Sequence, residues 1–254
     1  MRVEDDKYWH STGRMPQFTD LDDDDGAAGD DDYPGRSAGR PHVLREVAET
    51  IILTLLIFFV VRSVVQNFKV EGDSMLPTLH TEQYLLVNKG LYFRYDANFI
   101  ERMFKPEAQP DLRYLFHGPQ RGDIVVFEAW TEQRDFIKRI IAVEGETVEV
   151  RDESDPPDAQ IQDCDGCCSV CSVFVNGVKL NEPYIKDTPD YKRAALVVPA
   201  GQVFVLGDNR RNSADSHVHG PLAVERIIGT AFVSYWPQDR WGLLPHPTYA
   251  EMEK

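Results

Sequence analysis

Hydrophobic and polar positions divide this chain into three regimes. From Met1 to His42 apolar residues are sparse and acidic residues run together, at Asp22 to Asp25 and at Asp30 to Asp32. From His42 to Phe68, HVLREVAETIILTLLIFFVVRSVVQNF, apolar residues are nearly unbroken between Ile51 and Val61. Beyond lie short runs rich in Val and Ile and bounded by Gly, Pro, Asn or Asp: YLLVNK, DIVVFEAW, FIKRIIAV, TVEVRD, SVFVNGVKL, ALVVPAGQVFVLGD and IIGTAFVSYW. Runs of that length and bounding read as β-strands, and the Asn-Gly inside Val175 to Val178 reads as a two-residue hairpin turn. No helical pattern of comparable length follows the greasy segment. The expected fold class is therefore mainly β: an antiparallel-sheet domain with a smaller β subdomain, preceded by one N-terminal transmembrane helix.

The apolar run alone is shorter than the ~20 residues a bilayer requires. Extended from Val47 to Val65 it takes in Glu49, Thr50, Arg62 and Ser63 near its ends, where a long Arg side chain reaches back to the headgroups. One spanning helix is predicted, with a buried core helix as the alternative. A cleaved signal peptide is disfavoured, because the run starts far into the chain and no small-x-small site follows it. Arg36, Arg40 and Arg45 precede the run, against Arg62 and Lys69 after it. That slim positive bias places the N-terminus in the cytoplasm and the rest outside, in a single-pass plasma-membrane protein.

The expected organisation follows. Residues 1–42 form a disordered acidic cytoplasmic tail and 43–66 the transmembrane anchor. Residues 67–150 and 200–240 form the extracytoplasmic β core, 151–199 a small Cys-containing subdomain, and 241–254 a C-terminal tail. Composition sharpens two points. The tail holds 11 Asp or Glu against 5 Lys or Arg, so it cannot bury enough apolar surface to offset its ordering entropy. The whole chain of 254 residues carries a net charge of −15, which argues against nucleic acid as a partner. Within the core, residues 91–117 are unusually aromatic. They read either as an insertion lying on the bilayer surface, with Arg94, Arg102 and Lys105 at the interface, or as an ordinary satellite core.

All four cysteines stand in CDGCCSVC, as Cys164, Cys167, Cys168 and Cys171. Two back-to-back C-x-x-C pairs can hold Zn²⁺ as thiolates or form two disulfides. A vicinal Cys167–Cys168 bond is strained, which leaves two pairings. A disulfide-stapled loop is the favoured outcome outside the cytoplasm. No cofactor is expected.

Candidate chemistry begins at Ser74, in KVEGDSMLPTLHTE just past the greasy segment. A serine hydroxyl needs a base, and the seven histidines are poorly placed to supply one. Lys138 alternates with Phe136 and Ile140 along a predicted strand. On a buried face it loses hydration, its pKa falls, and the neutral amine can act as the base.

EGDSMLPTL, RGDIVVF (121–127), FIKRIIAVEGE (136–146) and LGDNRRNSADSHVHGPL (206–222), in that order after a single N-terminal span, resemble the successive motifs of the bacterial type I signal peptidases. The resemblance covers roughly residues 47–237. It implies a membrane-anchored serine endopeptidase that removes signal peptides from exported preproteins after an Ala-x-Ala-like site. It also implies Ser74 as nucleophile, Lys138 as general base and Ser213 as the hydroxyl that orients the lysine. Asp208 would pair with Arg139, and Asp215 would be a second supporting carboxylate. Val70, Leu79, Phe136 and Ile137 would line the pockets for small side chains, with Met75 against the bound cleavage site. The implied partners are preprotein signal peptides and the lipid bilayer, with the secretion translocon as a further candidate. The chain departs from the family pattern at Gly72, where some members carry a hydroxyl donor to the oxyanion, at Arg211, at His217, and at Glu144-Gly145-Glu146. The competing readings are a related Ser-Lys processing peptidase and a non-catalytic single-pass extracytoplasmic binding protein.

Overall fold

A computed structural model describes residues 40–105, 112–131, 134–156, 159–247 and 249. Helix α1 runs Arg40–Val64, and Val43–Val64 is long and apolar enough to cross a membrane. Its side chains from Ile51 to Val61 lie open, with no protein packed against them, so the buried-core-helix alternative is set aside. The acidic tail expected before it lies outside the described residues up to position 39.

The helix passes directly into a strand. β1 (Val65–Lys69) pairs antiparallel with β2 (Tyr84–Asn88), Val65 opposite Asn88, and the Lys89 N–H donates to the Val64 carbonyl at 2.8 Å. The helix thus ends at Val64, two residues before the boundary expected for a span over 43–66. Consecutive β-branched Val64 and Val65, then polar Gln66 and Asn67, favour the ladder over another helical turn. An excursion follows, with β3 (Arg94–Asp96), α2 (Phe99–Phe104) and β4 (Leu112–Tyr114), β3 and β4 forming their own two-stranded sheet. The chain then enters β5 (Ile124–Glu128), β6 (Asp135–Val143) and β7 (Thr147–Asp152). β8 (Cys171–Val175) turns through Asn176 and Gly177, both at positive φ, into β9 (Val178–Lys179), the hairpin the Asn-Gly pair predicts. β10 (Arg193–Val197), β11 (Gln202–Leu206), the short helix α3 (Ser216–His219), β12 (Leu222–Ala223), β13 (Ile227–Trp236) and β14 (Gly242–Leu243) complete the chain.

The molecule is mainly antiparallel β. One sheet runs β1-β2-β13-β5-β6-β11-β12, with β14 added to β13, and a second runs β10-β7-β8-β9. The two faces of the first sheet pack separate apolar clusters, one around Val70, Leu79, Leu85 and Val126, the other around Val125, Phe127, Ile140 and Val205. The second sheet shares a core with the first, since Val148, Val150, Val173 and Val175 pack with Ile141, Phe204 and Leu206. The four cysteines form Cys164–Cys167 and Cys168–Cys171 disulfides, the second at the start of β8. Among the described residues no cluster suited to a metal ion occurs.

Among the described residues after 240, expected as a tail, some are drawn into the fold while Trp241 and Leu243 stay exposed. Gly242–Leu243 is a strand, Leu244 joins the Val70 cluster, and Tyr249 is buried. These residues are too few and too irregular to show a hydrophobic period, so only the sheet edge they cover reveals their place.

Candidate active site

β6 is the central positioning element. Ile137 sits opposite Val126 and Lys138 opposite Val125 on β5, while the ladder to β11 starts only at Arg139, opposite Leu206. Among the described residues, Asp135 to Lys138 therefore carry a strand on one side and an open main-chain edge on the other. Phe136 and Lys138 share a face, with the Lys138 ammonium 5.1 Å from the Phe136 ring centroid.

Ser74 comes from the turn between β1 and β2. That turn is closed by N–H donation from Leu76 to the Asp73 carbonyl and from Leu79 to that of Met75, bonds in which the Ser74 N–H takes no part. The turn is then clamped from β11. The Asn209 N–H donates to the Ser74 carbonyl at 3.0 Å, and the Asn209 side-chain amide donates to the Asp73 carbonyl at 3.0 Å. Gly207 makes the approach possible. A Cβ there would lie 2.5 Å from the Ser74 carbonyl oxygen and 2.3 Å from the Ser213 hydroxyl, inside any real contact distance.

The turn and the strand bring Ser74 Oγ and Lys138 Nζ to 2.8 Å, and the lysine also donates to the Ile137 carbonyl at 3.0 Å. Lys138 is only 4% exposed. Burial lowers its pKa from 10.5 to about 8, against the opposing pull of Asp215 and Asp208.

Beside the lysine, Arg139 is fully buried and donates twice to Asp208, at 2.9 and 2.7 Å. Its Nη1 group donates to the Gly122 and Pro245 carbonyls, and the guanidinium stacks 4.2 Å from the Tyr184 ring centroid. Thr78 donates to the same Asp208 at 2.6 Å. Burial works to deprotonate Arg139, but the bond and charge of Asp208 outweigh it and hold the pKa above the usual value. Asp215 is buried and collects the Ser213 hydroxyl at 2.5 Å, the Gly207 N–H at 2.8 Å and the His217 ring at 2.6 Å. Burial alone would raise its pKa, yet these donors keep it below the ordinary carboxylate range.

A groove of about 320 Å³ opens at Ser74 and Lys138. Phe68, Val70, Leu85, Val126, Phe136 and Ile137 form its apolar walls, and Ala214 adds to the wall beside the lysine. Glu71 and Asp135 stand on its rim.

Two expected placements differ from the structure. Met75, expected against the bound cleavage site, and Leu79, expected in the pocket walls, are buried in the Val70 cluster, because the turn folds their side chains inward. Ser213, expected on the lysine, donates to Asp215, and the bonds of Lys138 go to Ser74 and Ile137. Sequence reasoning missed the buried Arg210–Glu182 pair, doubly bonded at 2.7 and 2.6 Å, which pins the loop after β11. Glu182 lies in an irregular stretch with no pattern to mark it. Groove walls from β1, β2 and β5 were missed too, because apolar strand residues look alike whichever face they serve.

Comparison with known proteins gives one consistent result. The family model described as "Signal peptidase, peptidase S26" matches residues 44–236. "Probable signal peptidase I-1" of Synechocystis sp. is 36% identical over 207 residues, covering 78% of this chain and 84% of the relative. "Signal peptidase I" of Leptolyngbya laminosa is 35% identical over 216 residues, covering 81% and 87%. A crystal structure of a signal peptidase I from Enterococcus faecalis aligns with 30% identity over 45% of this chain and 97% of that one, at a TM-score of 0.34.

Proposed function

The chain belongs to the signal peptidase family, peptidase S26, and from that premise we propose that it is a membrane-anchored endopeptidase with Ser74 as nucleophile and Lys138 as general base. Membership supports the coarser statement by itself: a serine peptidase that removes signal peptides from preproteins. The finer assignment rests on one observation, the 2.8 Å approach of a buried, pKa-lowered amine to a serine hydroxyl at the mouth of an apolar groove.

An extended peptide adds to the open edge of Asp135 to Lys138 through main-chain hydrogen bonds. The groove walls accept small side chains at the first and third residues before the scissile bond, an Ala-x-Ala-like preference. In the neutral state the Ser74 O–H donates to Lys138 Nζ. As Oγ bonds to the scissile carbonyl carbon, its proton passes to the amine. The oxyanion faces the turn, where the Ser74 N–H, which takes part in no backbone hydrogen bond among the described residues, is positioned to donate to it. Gly72 has no side chain to donate, and because it stands at φ +86° a hydroxyl-bearing residue there would be strained. Collapse breaks the C–N bond, and the ammonium returns its proton to the leaving amine. Water, deprotonated by the same lysine, then releases the acyl group.

Arg139 and Asp208 hold β6 against the loop after β11, and Asp215 and Ser213 fix that loop. These four position the dyad and take no proton. The anchor α1, with its N-terminus in the cytoplasm on the Arg36, Arg40 and Arg45 bias, holds the enzyme on the surface where signal peptides emerge and so raises their effective concentration.

The test uses full-length protein in detergent with a preprotein carrying an Ala-x-Ala junction. Cleavage after the second Ala should be abolished by Ser74→Ala and by Lys138→Ala, with the product N-terminus read by mass. Full-rate cleavage by Lys138→Ala would refute the dyad.

A further inference from the structure

We infer that residues 244–247 and Tyr249 are a strap that positions the catalytic pair, fastened on one side to the neighbour of Lys138 and on the other to the clamp on Ser74; this rests on the reading of Ser74 and Lys138 as nucleophile and base. The strap continues β14. The Leu244 N–H donates to the Phe232 carbonyl at 2.9 Å, and the Leu244 side chain joins the Val70 cluster. His246 Nε2 then lies 3.2 Å from Asp123 Oδ1. Tyr249 is 8% exposed, packs in the cluster of Ile141 and Leu206, and has the Arg121 guanidinium 5.7 Å from its ring centroid.

Two polar groups of the strap reach the framework of the site. The Pro245 carbonyl accepts from Arg139 Nη1 at 3.3 Å, and Arg139 adjoins Lys138 on β6. The second route is longer. The Glu182 carboxylate accepts both Arg210 bonds and has no proton to give, so the Tyr184 hydroxyl donates to it at 2.8 Å. The Tyr249 hydroxyl, 2.8 Å from that of Tyr184, is then the donor between the two. Beyond Glu182, Arg210 Nε donates to the Gly207 carbonyl at 3.0 Å, and Gly207 is the residue whose missing side chain lets the loop after β11 approach Ser74. The two routes meet at Tyr184, whose ring stacks on the Arg139 guanidinium.

Apolar burial alone would hold a chain end in place. This one also brings a carbonyl and a hydroxyl to buried partners, and each partner leads to one member of the pair. A buried polar network that is satisfied throughout rigidifies the residues it joins, and a nucleophile and its base need their separation held to a fraction of an ångström. Pro245, Tyr249, Tyr184, Glu182 and Arg210 do not line the groove. The strap therefore acts on the turnover of bound substrate and leaves its binding alone.

The test compares the full-length wild type with Tyr249→Phe, which keeps the ring and removes the hydroxyl, and with Tyr249→Ala. A peptide with an Ala-x-Ala junction is cleaved in detergent at pH 9, where Lys138 is largely neutral, and kcat is referred to the folded fraction. Val173→Ala, in the core of the second sheet, is the control for lost stability. Tyr249→Phe should lower kcat by roughly 3- to 10-fold and Tyr249→Ala by about 10²-fold, both at unchanged KM, while Val173→Ala keeps the wild-type values. Should Tyr249→Ala not fold, Tyr249→Phe decides. Wild-type kcat in Tyr249→Phe, a loss confined to KM, or an equal loss in Val173→Ala overturns this inference and leaves the dyad intact. Full-rate cleavage by Lys138→Ala in the same assay removes the dyad and this inference with it.

Discussion

Replacing Lys138 by Met should make the enzyme inactive and, near neutral pH, more stable. The buried ammonium is what the fold tolerates poorly. Its pKa falls from 10.5 to about 8, a difference worth about 3 kcal/mol of folding free energy. The sign follows from protonation. Below pH 8 the lysine is charged in both folded and unfolded chains, and the folded state bears the whole penalty. Between 8 and the unfolded value the folded amine is already neutral while the unfolded one still binds a proton, so stability rises with pH. Above both values the contribution vanishes. Methionine fills a similar volume without charge. It forgoes the bonds to Ser74 and Ile137, each worth roughly 1 kcal/mol net. The gain at pH 6.5 is then about 1–3 kcal/mol, which for a domain of this size is a rise in Tm of roughly 2–10 °C. Thermal unfolding in detergent, followed by tryptophan fluorescence for both proteins at pH 6.5 and pH 10, measures it. The difference should shrink towards zero or reverse at the higher pH. Equal stability at pH 6.5, or a difference unchanged by pH, would refute the account of Lys138 as a strained, desolvated base.

The same shift predicts that kcat/KM rises about tenfold per pH unit below a midpoint near 8, since only about a tenth of the lysine is neutral at pH 7; a profile flat from pH 6 to 9 would count against it. Gly207→Ala should cut kcat by at least ~10² while the chain still folds, because the new Cβ strikes the Ser74 carbonyl oxygen 2.5 Å away and shifts the nucleophile; unchanged kcat would show that the clamp does not set the geometry. Asp208→Asn leaves the buried Arg139 charge uncompensated and should destabilise by about 3–5 kcal/mol, read by denaturant titration. Reducing the two disulfides should cost only about 1–2 kcal/mol each, since each closes a very short loop. Peptide cleavage should survive, because no groove residue comes from their sheet, and loss of cleavage on reduction would assign that sheet a role in the site.

Much of the molecule was legible in one dimension. Alternating or continuous Val- and Ile-rich runs predict β2, β5, β6, β7 and β13, because a pleated strand has a period of two and little else satisfies it. The Asn-Gly pair predicts the β8–β9 turn by the same logic, since positive φ at 176 and 177 favours those residues. The greasy run predicts α1. Ser74 and Lys138, 64 residues apart in sequence, are singled out together by the ordered motifs that resemble those of the type I signal peptidases.

What the chain order alone could not decide was which residues meet across those elements. Met75 and Ile137 look equally suited to face a substrate, yet the turn sends Met75 into the core and β6 leaves Ile137 on the groove. Ser213 lies within reach of more than one partner in sequence terms, and only the folding of the loop after β11 gives its hydroxyl to Asp215. The Arg210–Glu182 pair and the Pro245 carbonyl on Arg139 carry no periodic mark at all. Local pattern determines which residues form strands, turns and the apolar helix, because those depend on neighbours in sequence. Partners in the site depend on burial, which is settled only when distant strands close the sheet and choose which polar groups must satisfy one another.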